Sequence, residues 1–228
     1  EHQVGSYGIN NVMLSAMAGV GLKTLKSKYT FNILHLQNGE SKTGIFDYIG
    51  RDQGSEFTAY QHNLEYSQRG MTNAQLIGKH EMGKNSRWST EWKLSPTYST
   101  IEDPDVRFTR YRTQGSGVSI GTESGFPERI WRNLQEINLA GKADATWKFS
   151  AFGNKAELKF GGGHTFKERE FNIKSFMVNV RNVHLTGNPD ELFAPENLWP
   201  YNGDPTKGTT VEATFLPNNP NQFTSNIN

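Results

Sequence analysis

A few residue groups have types and spacings that chemistry could use. Gly117-Val118-Ser119-Ile120-Gly121 matches G-x-S-x-G, the pattern of a hydrolase nucleophile elbow. That motif exposes its serine only where a strand, a sharp turn and a helix follow one another. No helical periodicity follows it here, so a glycine-bearing loop is expected instead of a nucleophile. Asp103 and Asp105, with Glu102, could offer hard oxygen ligands to Ca²⁺. Pro104 and the nearby Arg107 and Arg110 favour a turn with internal ion pairing. The six histidines show no H-x-H or H-E-x-x-H spacing, so no metal site is expected. Arg107, Arg110, Tyr111, Arg112 and Trp131 fall in one polar stretch. Clustered arginine and aromatic side chains suit contact with an anionic or polar ligand, and equally suit an ordinary external surface. No catalytic residue and no cofactor is expected, and the protein is read as a non-enzyme.

The elements that carry these residues are long strands. Residues 58–82 alternate without a proline, with Leu64, Tyr66, Leu76, His80 and Met82 on one face. Glu65, Ser67, Arg69, Gln75 and Lys79 occupy the other. Successive strand residues point to opposite faces, so this is a ribbon with one apolar and one polar side. It is about four times longer than the ~5–6 residues usual in soluble proteins. Similar alternation is read at 10–23, 28–38, 88–99, 137–150 and 156–167. Between Ile33 and Leu34 the parity slips, which predicts a bulge.

These six strands are joined by strictly alternating connections. Short turns are expected at 24–27, 83–86 and 152–155, and long loops at 39–56, 103–133 and 184–228. Outer-membrane barrels have this asymmetry, with short periplasmic turns and longer external loops, whereas sandwiches lack it. Tyr29, Trp88, Trp147 and Phe149 lie near the short turns, and Tyr98 and Phe166 about 10 residues further along, near the length that crosses a bilayer. Two aromatic girdles at that spacing mark the interfaces of a barrel wall.

Composition is compatible with this. The chain has 228 residues, 34% hydrophobic, with 23 Gly and 14 Phe, and its mean hydropathy is −0.68. No stretch approaches the ~18 apolar residues of a spanning helix, but barrel strands alternate and escape that test. The net charge of +1, from 24 basic and 23 acidic residues, indicates no dominant basic patch and gives nucleic-acid binding no support. The absence of cysteine excludes disulfides, zinc–thiolate clusters and thiol catalysis. The start at Glu1 lacks signal-peptide character, so a processed or internal segment is expected.

Several local patterns, in order, resemble the TonB-dependent outer-membrane transporters, in the branch with a carboxypeptidase-regulatory-like N-terminal domain. They are Leu64-Glu65-Tyr66-Ser67-Gln68-Arg69, Gln75-Leu76-Ile77-Gly78-Lys79-His80, Glu102-Asp103-Pro104-Asp105-Val106-Arg107, Lys159-Phe160-Gly161 through Lys167-Glu168-Arg169-Glu170-Phe171, and Leu192-Phe193-Ala194-Pro195-Glu196-Asn197. The likeness spans nearly the whole chain. It implies a 22-stranded barrel enclosing a plug, energised by an inner-membrane complex through a TonB box. Neither plug nor TonB box is recognisable here, and six strands make only part of such a wall.

The expectation is therefore an all-β fold: a partial, antiparallel up-and-down transmembrane β-barrel, with 1–228 as a single segment of its wall. The function implied is energised uptake of a scarce solute across the outer membrane of a Gram-negative cell. Expected partners are the rest of the barrel and its plug, the TonB complex, outer-membrane lipid, lipopolysaccharide and, in some systems, a surface lipoprotein. Rival readings are a passive porin or scaffold barrel, and a soluble carbohydrate-binding β-sandwich. Leu64, Leu76, Trp92, Leu139, Trp147, Leu158 and Phe160 are expected to face lipid. Glu65, Gln75, Glu91, Lys142, Asp144 and Glu157 are expected to face inward.

Overall fold

A computed structural model describes residues 2–52, 55–114, 117–120 and 125–216. Eight strands form one antiparallel sheet: β1 (His2–Lys23), β2 (Ser27–Asp52), β3 (Ser55–Met82), β4 (Trp88–Gln114), β5 (Gly117–Ser119), β6 (Glu128–Ala151), β7 (Asn154–Arg181) and β8 (Gly208–Phe215). Their spatial order is β1-β2-β3-β4-β6-β7-β8, with β5 beside β4, and the sheet is not closed. The six long strands follow one another as a meander, and β5 and β8 are short additions. Among the described residues, no helix is long and apolar enough to cross a membrane.

The three short turns lie at one end of the sheet. Lys23 pairs with Lys28 across the first and Met82 with Trp88 across the second. At the third, Ala151 pairs with Asn154, and Phe152 (φ 51) and Gly153 (φ 78) supply the two positive φ angles of a type I′ hairpin.

At the other end the expected long loops are corrected. Residues 39–52, read as loop, continue β2, and β3 resumes at Ser55. The glycines that suggested a loop are packing positions instead. A side chain on Gly44 would meet the Phe46 ring at 2.6 Å, and one on Gly50 would meet Phe57 at 2.7 Å and Tyr48 at 2.8 Å. The 103–133 loop likewise shrinks, because β4 runs to Gln114 and β6 begins at Glu128. β4 absorbs its Pro104 in a bulge: both of its ladders shift register there, and Asp105 adopts φ 61. The segment from 184 onward holds two 3-10 turns, Pro189–Phe193 and Pro195–Asn197, and then β8, which pairs with Ser175–Arg181 of β7. Residues 217–228 of that expected loop lie outside the described residues. The parity slip after Ile33 is not a bulge: β2 pairs without interruption on both sides, so Leu34 and Leu36 simply occupy the polar face.

Directly paired residues of an antiparallel ladder share a face, so the registers sort the side chains. Leu76 lies beside Phe31 and Leu94, Trp147 beside Trp88 and Leu158, and Leu139 beside Phe166. Leu64, Leu76, Trp92, Leu139, Trp147, Leu158 and Phe160 therefore share one face. Glu65, Gln75, Glu91, Lys142, Asp144 and Glu157 share the other.

Over most of its length this sheet is a single layer. Among the described residues, buried hydrophobic side chains occur only at the end away from the short turns, including Tyr111, Val178, Leu185 and Leu192. There the segment after β7 folds back on the sheet, and Leu185 and Leu192 pack against Tyr111. Elsewhere the apolar face is open: Val20 is 67%, Leu139 48% and Phe160 53% exposed.

Candidate ligand-contact surface

The five residues expected to contact ligand are not on a loop. Arg107, Arg110, Tyr111 and Arg112 belong to β4 and Trp131 to β6. Strand alternation splits them. Arg107 pairs with Leu64 and Arg129, and Tyr111 with Tyr60, which sets them on the apolar-side face together with Trp131. Arg110 pairs with Gln61 and Arg112 with Ala59, on the polar face. A single five-residue cluster is therefore corrected to two sites, one on each side of the sheet.

On the apolar side the Pro104-Asp105 bulge builds an ion cluster. Arg107 Nε donates to Asp105 Oδ2 at 2.8 Å, and Arg129 Nε donates to Oδ1 at 2.7 Å. Burial raises the proton affinity of the Asp105 carboxyl, but the hydrogen bonds from Arg129 and Arg107 and their charges outweigh it and hold the group below its ordinary value. Arg129 also lies 5.1 Å over the Trp131 ring and 5.7 Å over Phe193, so it is gripped between sheet and cap. Asp103 is taken by Arg132 at 3.0 Å, across the polar face. Of the carboxylates considered for Ca²⁺, Asp103 and Asp105 thus each hold arginine, and Glu102 accepts from Asn133 Nδ2 at 3.5 Å. Beneath the cap is a cavity of about 230 Å³, lined by His62, Arg107, Thr109, Arg129, Asp190 and Phe193.

Tyr111 lies inside the packed end of the sheet. It is fully buried, stacked on Tyr60 at 5.1 Å, and burial pushes its hydroxyl above the ordinary value. That hydroxyl has no hydrogen-bond partner among the described residues. The cap over it is held by Glu191, whose carboxylate accepts from the Thr186 and Gly187 amides at 2.9 Å. Ser119 of the G-x-S-x-G pattern sits in β5, and β6 is the next element among the described residues.

On the polar face a hydrogen-bonded chain links side chains of β4, β3 and β1, stepping over β2. Arg110 Nε donates to Gln61 Oε1 (2.8 Å), Gln61 to Asn63 Oδ1 (2.6 Å), Asn63 to the Tyr7 hydroxyl (3.2 Å), and Tyr7 to Glu65 Oε1 (2.9 Å). Gln61 and Asn63 are buried, 8% and 6% exposed. Arg110 covers the Tyr48 ring at 5.4 Å and Arg112 the Phe57 ring at 5.0 Å. The Tyr48 and Phe57 rings of these stacks lie over the glycine position at 50, and the Phe46 and Tyr7 rings over that at 44. Tyr7, Gln61 and Asn63 were not singled out from sequence, because only the β1–β2–β3–β4 register brings them together. No protein-family model matches the chain, and no curated protein matches it.

Proposed function

We propose that this chain is part of the wall of an outer-membrane β-barrel, and that the barrel is a TonB-dependent transporter performing energised uptake of a solute. The observation that carries the reading is the bounded apolar band on one face. In β4 it runs from Trp88 through Trp92 and Leu94 to Tyr98, and then turns polar at Thr100 and Glu102. In β6 it ends at Ile137, which pairs with Tyr98, and in β7 at Phe166. Trp88 and Tyr98 are ten positions apart, which is about 34 Å along a strand and about 25 Å of height at barrel tilt. That equals the apolar band of an outer-membrane barrel.

The lower border is an aromatic belt. Trp88 stacks on Trp147 at 5.7 Å and Trp147 on Phe149 at 4.7 Å, while His80 stacks on Trp92 at 6.3 Å further into the band. Trp92 Nε1 donates to His80 Nε2 at 2.9 Å, so the other ring nitrogen carries the proton that faces Ser27 Oγ at 3.0 Å. A soluble protein rarely exposes more than a few hundred Å² of contiguous apolar surface, and it would need a second layer here. Lipid supplies that cover without a protein partner.

The sheet's edges favour a larger assembly. β1 pairs with β2 alone, and β7 pairs with β8 only from Ser175, leaving 154–174 unpaired on that side among the described residues. Unsatisfied ladder groups in lipid cost several kcal/mol each. Further strands from the rest of the barrel would close this wall around a plug, with the TonB complex as partner on the periplasmic side and lipopolysaccharide and a surface lipoprotein on the outer side. Active transport is tested in a planar bilayer with the intact barrel. A plugged transporter stays silent, whereas immediate steady conductance would assign the wall to a passive porin.

A further inference from the structure

The polar face carries an excess of one charge sign near the short turns. Lys23 lies directly opposite Lys28, and Lys28 directly opposite Lys79. Lys79 faces Glu91 of β4, and the next residue on that face of β4 is Lys93, directly opposite Lys142. Five lysines thus form one diagonal stripe across β1, β2, β3, β4 and β6. Like charges directly opposite one another destabilise a ladder, where an acid would normally face a base.

The neighbouring carboxylates do not neutralise the stripe. Glu91 takes Lys79 at 2.8 Å, and Asp144 is shared by Lys142 at 3.1 Å and Lys159 at 4.0 Å. Glu81 accepts from Ser86 Oγ at 2.7 Å. Lys23, Lys28 and Lys93 have no carboxylate within 4.0 Å among the described residues. A groove of about 540 Å³ runs beside the first turn, where Lys23, Lys26, Lys28, Lys79 and Lys159 outnumber the Glu81, Glu91 and Asp144 carboxylates that also line it.

We propose that this stripe binds a multiply charged anionic solute, with two or more linked phosphate groups standing in for the missing cross-strand acids. Adjacent strands are about 4.8 Å apart, so linked anionic groups reach neighbouring ammonium groups together. A single anion neutralises one lysine and leaves the repulsion among the rest. Lysine is a flexible point-charge donor, suited to phosphate oxygens approaching from several directions. The proposal rests on register and ion pairing, and holds whether or not the sheet closes into a barrel.

The probe is inorganic tripolyphosphate, titrated calorimetrically onto the folded protein at low ionic strength, with orthophosphate and polyglutamate as comparators. Tripolyphosphate should bind at least about tenfold more tightly than orthophosphate, and added salt should weaken it. The double substitution Lys28→Gln and Lys93→Gln should weaken it by about tenfold or more, because two charge-assisted contacts are lost. Lys28→Arg with Lys93→Arg should retain binding, as should the control pair Lys174→Gln and Lys207→Gln. Removing unpaired like charges should leave the fold intact, read by an unchanged far-ultraviolet spectrum. Absence of tripolyphosphate binding, or equal loss in the control pair, would overturn the proposal. So would tighter binding of polyglutamate at equal charge, which would assign the stripe to an acidic polypeptide.

Discussion

Gly78 and Gly162 lie in neighbouring parts of the apolar face and are not equivalent. A Cβ on Gly78 would strike the Trp92 indole, whereas nothing lies within 4 Å of one on Gly162. Gly78→Ala should displace Trp92 from His80 and cost about 1–3 kcal/mol, while Gly162→Ala should be near neutral. Equilibrium unfolding of the two variants checks this. Asp105→Asn should also destabilise, by about 1–3 kcal/mol, since it removes the negative charge and one of the two oxygens that accept from Arg107 and Arg129. The Asp105 carboxyl has a lowered folded-state pKa, so its contribution is full above the unfolded value of about 4 and is lost as pH falls through the lower folded value. The gap between wild type and Asp105→Asn should therefore close on acidification. At this scale the sequence was legible only in part. The Asp-Pro-Asp stretch announced an ion-paired irregularity, but not that Arg129, 24 residues away, completes it. Arg110 and Tyr111 read as one contact surface because adjacency in sequence conceals that neighbours in a strand point to opposite faces.

The elements divide into a wall and a cap. In the wall, Leu139→Arg or Leu158→Arg should cost about 2–4 kcal/mol in lipid, and Lys142→Arg should be almost silent. Equal penalties on both faces, measured by denaturant titration in detergent or vesicles, would remove the basis for assigning one face to lipid. In the cap, Leu192 is 2% exposed against Tyr111 and Leu185. Leu192→Ala should cost about 2–5 kcal/mol and make 186–206 the first site of protease cleavage, with the wall strands still protected. The wall strands were legible because each sets apolar residues against polar ones at period two. Their upper extensions were not: Gly39, Gly44 and Gly50 look like loop punctuation, and their role in seating aromatic rings depends on the partner strand. The cap was invisible because Pro189 and Pro195 signal irregular chain equally well whether it packs or not.

The whole molecule is a sheet whose stability is unevenly placed. Its buried core sits at one end, its apolar band and aromatic belt occupy the other part of one face, and its lysine stripe lies on the opposite face below. The near-zero net charge concealed that stripe, since Lys23, Lys28, Lys79, Lys93 and Lys142 meet only through register. The central claim is that the apolar face lies against acyl chains. Its most direct measurement is fluorescence quenching of single-tryptophan variants in vesicles of lipids brominated at known depths. Trp92 should be quenched best by bromines deep in the chain and Trp88 and Trp147 by shallow ones, while Trp131 and Trp199 should be unaffected. Quenching of Trp131 as strong as that of Trp92, or no quenching of Trp88, Trp92 and Trp147 at any depth, would contradict it.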